Sequence, residues 1–155
     1  MRYRKFGKLD WEASVLGFGA MRLPLKDRDS ANINEPEAIR IIRYAIDHGV
    51  NYVDTAYSYH AGRSEQVVGQ ALKEGYRQRV KLATKMPCWL IDTPQAPDHY
   101  LNQQLGRLQD GRVDFYLLHG LTRQYWDKLR DLGILRWAEG AMADVNSVVA
   151  VIQTE

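Results

Sequence analysis

Apolar residues are distributed along this chain in two alternating kinds of run. Short, nearly unbroken apolar runs are separated by longer stretches in which apolar residues recur every three or four positions. After a short polar, hairpin-like start, "SVLGFGAMRLP" (14–24) predicts a first strand ending in glycines. "NYVDTA" (51–56), "VKLATK" (80–85) and "VDFYLLHG" (113–120) predict three more. Between the first two strands, "KDRDSANINEP" reads as a polar loop. "EPEAIRIIRYAIDHG" (35–49) then sets Ala38, Ile41, Ile42, Ala45 and Ile46 on one helical stripe, with Pro36 suited to the first turn and Gly49 to the stop. "SEQVVGQALKEG" (64–75) predicts a second helix, capped by Ser64 and ended by Gly75. "DHYLNQQLGRLQ" (98–109) predicts a third, and "QYWDKLRDLGILRWAEGAMAD" (124–144) a fourth, interrupted near Gly133.

The order is therefore βαβαβαβα, with strands that are apolar throughout and do not alternate. Such strands are parallel and buried on both faces, each returned by a helix. Two architectures satisfy the pattern: an open doubly wound sheet, or part of a (β/α)8 barrel. Val53, Leu82 and Leu117 are expected to point into an inner core. The tail "VNSVVAVIQTE" holds an apolar run, Val148 to Ile152, suited to a further strand.

Composition narrows the function classes. The 155 residues suffice for a single domain, and 21 Lys and Arg nearly balance 19 Asp and Glu. The basic residues are scattered, which argues against a nucleic-acid partner. One cysteine, Cys88, cannot form an internal disulfide or an all-cysteine zinc or iron–sulfur site. No metal site is expected. The N-terminal stretch is charged and lacks the apolar segment of a signal peptide, and no run approaches the ~20 residues that cross a bilayer. The expectation is a soluble cytoplasmic protein without a membrane partner.

Polar residues within the strands decide the architecture. Asp54 lies near the C-terminal end of the second strand, Lys85 ends the third, and His119 ends the fourth. Singly, each has an ordinary reading: a turn former, a solvated cap, a packed and hydrogen-bonded ring. Together they mark one rim, and barrel enzymes gather catalytic groups from several strand ends at that rim. With a tyrosine from "NYVDTAYSYHAGRSE" (51–65) the set has a defined use. A free phenol, with a pKa near ~10, is a poor acid at neutral pH. An adjacent ammonium favours phenolate, an aspartate holds that ammonium charged, and a histidine donates to a substrate oxygen. This would protonate a carbonyl as it becomes an alcohol. The missing hydride is what a nicotinamide supplies.

"DTAYSY", "EQVVGQAL", "LATK" and "DFYLLH", in this order and spacing, resemble the aldo/keto reductase family, over residues 1 to about 144. The resemblance implies a TIM-type (β/α)8 barrel and reduction of a small aldehyde or ketone with NADP or NAD as cofactor. It implies a catalytic tetrad of Asp54, Tyr59, Lys85 and His119, with Tyr59 as proton donor; Tyr57 is then a rim aromatic. By the same resemblance Gly19, Ala20, Met21 and Asp54 contact cofactor and Arg22 reaches a phosphate. "GFGAMR" lacks the third glycine of a dinucleotide fingerprint, and its other reading is a plain turn. "MRYRKFGKLDWEASVLGFGAMRLP" and "YSYHAGRSE" look like the branch whose long members end in an iron–sulfur domain. Met86, Cys88, Trp89 and Tyr125 follow strand ends and either surround a substrate mouth or pack.

A complete barrel needs roughly 250 residues. Only about four βα units are read here, a half barrel, and the tail from 145 to 155 does not match the family. The expectations are self-association or a partner that supplies the second half. Two other readings stand beside the enzyme: a non-catalytic binding or regulatory subunit on the same scaffold, and a truncated product without independent activity.

Overall fold

A computed structural model of the chain describes residues 1–143 and 149–151. Strands β1 (Tyr3–Lys5) and β2 (Glu12–Ser14) form an antiparallel hairpin. The main sheet is wholly parallel and runs in sequence order: β3 (Phe18–Gly19), β4 (Tyr52–Asp54), β5 (Lys81–Pro87), β6 (Phe115–His119) and β7 (Val149–Val151). Helices α1 (Glu35–Asp47), α2 (Ser64–Ala71) and α3 (Ala96–Leu108) return the chain between β3, β4, β5 and β6. α4 (Arg123–Asp131) and α5 (Ile134–Ala143) follow β6. A doubly wound sheet reverses its strand order at a switch point, and this sheet does not. It is one wall of a (β/α)8 barrel.

Register sets the two faces. Phe18, Val53 and Leu82 pair along one line; Gly19, Asp54, Ala83 and Phe115 pair along the next. Neighbours along a strand point to opposite faces, so an inward Asp54 turns Val53 outward. The expectation that Val53 and Leu82 face the barrel interior is therefore corrected. Both are fully buried in the helix-facing core with Ile42, Val68 and Leu108. Leu117 does lie on the inner face, beside Ala83 and Phe115.

Several element bounds also differ from expectation. The first strand contracts to Phe18–Gly19, because Ser14 is held in the hairpin. The Ser14 N–H donates to Asn51 Oδ1 at 2.8 Å, and its hydroxyl donates to the Leu16 carbonyl at 2.7 Å. Val15 and Leu16 are consequently exposed. α2 stops at Ala71, short of Gly75, since the chain turns left-handed at Glu74 (φ 59°) and Gly75 (φ 87°). α3 starts earlier, with Pro97 in its first turn, and β5 continues past Lys85. The break at Gly133 (φ 84°) is where the sequence placed it. β7 pairs in parallel with β6; Val148 and Ile152 lie outside the described residues.

The inner face is less open than a bare half barrel implies. Phe6 and Trp11, from the β1–β2 hairpin, stand 5.2 and 6.0 Å from the Phe115 ring, and Tyr52 stands 5.6 Å from it. Asn51 fixes the hairpin in place by donating to the Glu12 carbonyl at 2.8 Å. Apolar packing thus closes the N-terminal end of the face and leaves the C-terminal rim for polar groups.

On the helical side, α2 and α3 touch through Gly69. A Cβ built there would stand 2.2 Å from the Leu108 carbonyl oxygen. Gly69→Ala must push the helices apart and is expected to cost about 1–3 kcal/mol or more. Gly106→Ala, on α3 with nothing within 4 Å of its Cβ, is the control and is expected to stabilise by up to about 1 kcal/mol. Urea unfolding followed by circular dichroism compares the two. Equal stability of both variants with the parent would contradict this packing.

Candidate functional site at the C-terminal rim

Lys85 sits on the inner face of β5 and is almost wholly buried. Its Nζ donates to Asp54 Oδ1 at 2.5 Å, to the Thr55 carbonyl at 3.0 Å and to the Tyr59 hydroxyl at 3.1 Å. An ammonium has three N–H donors, and here each has an acceptor. Since the phenol oxygen accepts from Lys85, its own proton remains available to donate elsewhere. His119, the last residue of β6, lies edge-on to Tyr59 with ring centroids 5.6 Å apart, and the Trp89 ring stands 5.4 Å from it. The four residues read from the strand ends and the tyrosine motif therefore meet at one rim.

Electrostatics at the rim are opposed. Burial pushes the Asp54 carboxyl above its ordinary value, while the charge and hydrogen bond of Lys85, with His119 behind them, pull the other way. Separating Asp54 from Lys85 would leave a desolvated charge on each side. Tyr57 takes a different course. The Arg107 guanidinium lies 4.3 Å from its ring centroid, and Tyr100 meets it edge-on at 5.2 Å. It belongs to the outside of the rim.

The turn that delivers Tyr59 is strained. His60 (φ 53°), Ala61 (φ 52°) and Gly62 (φ 87°) are all left-handed. For a residue with a Cβ this costs about 1–2 kcal/mol. The His60 ring is buried between two backbone groups. Its Nε2 accepts from the Leu23 N–H at 3.0 Å, and its Nδ1 meets the Ser30 carbonyl at 2.7 Å.

Sequence reading missed His60, and also the polar groups behind the rim. Ser64 does not cap α2. It donates to the Ala20 carbonyl at 2.9 Å and shares a hydrogen bond with Thr55 at 2.8 Å, tying the turns after β3 and β4 together. Glu65 is fully buried; it accepts from Thr84 at 2.7 Å and from Gln104 at 2.5 Å, with Arg107 at 3.3 Å. Gln104 also donates to the Lys85 carbonyl at 3.1 Å and accepts from Tyr116 at 2.6 Å. One available signal was the i, i+3 spacing of Gln104 and Arg107 on α3, opposite a first-turn glutamate on α2.

The glycine turn occupies the same rim. Gly19 pairs with Asp54, is exposed, and has nothing within 4 Å of where a Cβ would stand. Ala20 is buried, and Met21 and Arg22 are exposed. Among the residues expected at a substrate mouth, Met86 and Cys88 are buried instead in the helix-facing core. Burial raises the Cys88 thiol to about 11, which removes it as a nucleophile. Trp89 does reach the rim, against His119. Tyr125 is only partly buried and packs against the helix-facing core.

The profile of the Aldo/keto reductase family matches residues 15–140. An uncharacterized oxidoreductase of Bacillus subtilis, YqkF, is 31% identical over 154 residues, covering 88% of this chain and 47% of the relative. A probable aldo-keto reductase 1 of Glycine max is 40% identical over 123 residues, covering 74% of this chain and 35% of the relative. An aldo-keto reductase from Klebsiella pneumoniae, solved in complex with NADPH, superposes with a TM-score of 0.72 at 26% identity, over 93% of this chain and 46% of that one. The chain thus spans about half the length of the relatives it matches, and its sheet is the matching part of their TIM-type barrel. From motif, register and these likenesses together, the chain belongs to the aldo/keto reductase family.

Proposed function

We propose that this chain carries the proton-transfer half of an oxidoreductase site that reduces a small aldehyde or ketone with NADPH or NADH. The observation that carries the reading is the single ammonium of Lys85, bonded at once to Asp54 and Tyr59. Tyr59 gives its hydroxyl proton to the carbonyl oxygen, and Lys85 stabilises the phenolate left behind. Asp54 accepts a hydrogen bond from Lys85 and balances its charge inside the site. His119, across the rim from Tyr59, orients the carbonyl by hydrogen bonding. The residues present fit a nicotinamide. Exposed Gly19, with open space above it, leaves room for a flat ring beside Asp54, and Arg22 offers a cation on the same turn. Gly19, Ala20, Met21, Arg22 and Asp54 are the proposed contacts. When bound, the nicotinamide supplies a hydride to the carbonyl carbon.

The sheet ends at β3 and β7 among the described residues. We propose that the second wall pairs with these edges, whether it comes from continuing chain, a second copy or another polypeptide. An unpaired strand edge invites pairing with another strand. The isolated 155-residue chain is therefore expected to self-associate at low micromolar concentration, read by size-exclusion chromatography with light scattering. A clean monomer with a cooperative thermal transition would show that the hairpin closes the face sufficiently.

NADPH should bind the isolated chain weakly or not measurably, since one turn and one rim hold only part of a large dinucleotide. Calorimetric titration checks this, and micromolar affinity would mean that the cofactor site lies largely within these residues. In a barrel completed with a relative's second half, Tyr59→Phe is expected to lower carbonyl reduction by about 10²–10⁴-fold. Tyr57→Phe should leave it within a few-fold. Activity lost through Tyr57 and kept without the Tyr59 hydroxyl would overturn the assignment.

A further inference from the structure

We infer that His60 is a positioning residue for Tyr59, holding the tyrosine's turn in register with the turn that follows β3. This rests on the reading of Tyr59 as the proton donor. His60 is adjacent to Tyr59 in the chain yet contacts neither Lys85 nor His119 through any bond described above. Its two ring nitrogens instead engage the backbone at two points of the β3–α1 loop. Nε2 accepts from the Leu23 N–H at 3.0 Å, and Nδ1 lies 2.7 Å from the Ser30 carbonyl.

The pairing dictates the tautomer. Leu23 offers only a donor and Ser30 only an acceptor, so Nδ1 carries the proton and Nε2 the lone pair. A doubly protonated ring has no acceptor for Leu23. The ring is 8% exposed, so water cannot readily stand in for either partner.

The backbone explains why such a clamp is needed. His60 and Ala61 both sit at positive φ, a conformation their Cβ atoms disfavour. Left to itself, that segment relaxes toward φ below zero and swings the tyrosine before it. The Tyr59 N–H to Ala56 carbonyl bond of 3.2 Å, and the Arg63 N–H to His60 carbonyl bond of 3.0 Å, close the turn on either side but do not reach across to β3. His60 reaches the loop that follows β3. Leu23 directly follows Arg22, so the imidazole adds a tie between the turn of the proposed proton donor and the proposed cofactor turn, beyond the Ser64 bond to the Ala20 carbonyl.

The test uses the full chain, isotope-labelled, by NMR. In the parent, nuclear Overhauser contacts are expected from the Tyr59 ring to the Lys85 ε-methylene and to the His119 ring, since Nζ lies 4.7 Å from the Tyr59 centroid and the His119 ring 5.6 Å. The His60 imidazole should show the ¹⁵N pattern of the Nδ1–H tautomer. In His60→Ala, which keeps a Cβ at the disfavoured backbone position and removes both ring bonds, the Tyr59 contacts should be lost while those among Val53, Leu82 and Tyr116 persist. His60→Asn tolerates the same backbone and places an amide donor near the Nδ1 position, so it should recover part of the contacts. Three results overturn the inference: parental Tyr59 contacts in His60→Ala, loss of the core contacts as well, or an Nε2–H tautomer. Failure of the Tyr59→Phe activity test would overturn the acid assignment and leave these contacts unchanged. Parental contacts in His60→Ala would remove His60 from the site and leave the acid assignment intact.

Discussion

A lysine ammonium taken almost entirely out of water must find three acceptors, and much of the rim follows from that requirement. The effective penalty for an uncompensated buried charge is several kcal/mol, a large part of the marginal stability of a domain. β4 must therefore end with Asp54 in register with Ala83, one inward step before Lys85. The chain must then continue so that the Thr55 carbonyl and the Tyr59 hydroxyl come to the same nitrogen. Strand order, register and the course of the β4–α2 connection are all constrained by one charge. The opposite side of β5 is constrained as well. There Gln104 bonds the carbonyl of Lys85 itself while joining Glu65, Thr84 and Tyr116. The strand is gripped through side chains on both faces. Burial first, then the neighbouring Glu65 and Cys88, raise the Tyr116 hydroxyl well above its ordinary value, so this tyrosine remains a hydrogen-bond donor and no acid.

What could be read from sequence follows the same physics. Asp54, Lys85 and His119 were legible because ionisable residues closing apolar runs are conspicuous, and because parallel strands collect their ends at one rim. Inward and outward residues were harder to tell apart. A strand buried on both faces has no alternation to show which side is which, so Val53 and Leu82 were read onto the wrong face. The parity was nonetheless fixed by Asp54, since a one-residue step reverses the face. Ser64 and Glu65 carried a misleading local signal. At a helix start they read as a cap and a dipole partner, both normally exposed. Tertiary packing through Gly69 buries that helix start and gives both side chains other partners. His60 left no signal at all, because its role depends on Leu23 and Ser30, which approach it only once the loop after β3 has folded back.

The hairpin shows a division between the two ends of the same inner face. At the N-terminal end, Phe6, Trp11, Tyr52 and Phe115 close the face with aromatic area. At the C-terminal end the same face carries Asp54, Lys85 and His119 with Gly19 beside them. Lys85, beyond the aromatic end, is almost wholly buried. The same low-polarity surroundings raise Tyr52 to about 12, through burial first and the Asp54 charge second. A phenol there stays neutral and serves packing, whereas the phenol of Tyr59 lies against an ammonium. Two tyrosines of one barrel wall thus stand in different surroundings because they occupy its different ends.

Rigidity and strain are distributed in the same way. Asp54, Lys85 and His119 stand on strands whose backbones are fixed by parallel pairing and by helices packed as closely as Gly69 against Leu108. Tyr59 stands on a left-handed turn of a conformation its neighbours disfavour. A side chain on a strand inherits its position from the sheet, but one on a strained turn keeps its position only while something outside the turn opposes relaxation. Lys85 bonds the phenol oxygen, and His60 ties the next residue to the loop after β3. The proposed proton transfer from Tyr59 draws on both, since a donor held in place is preorganised for its acceptor.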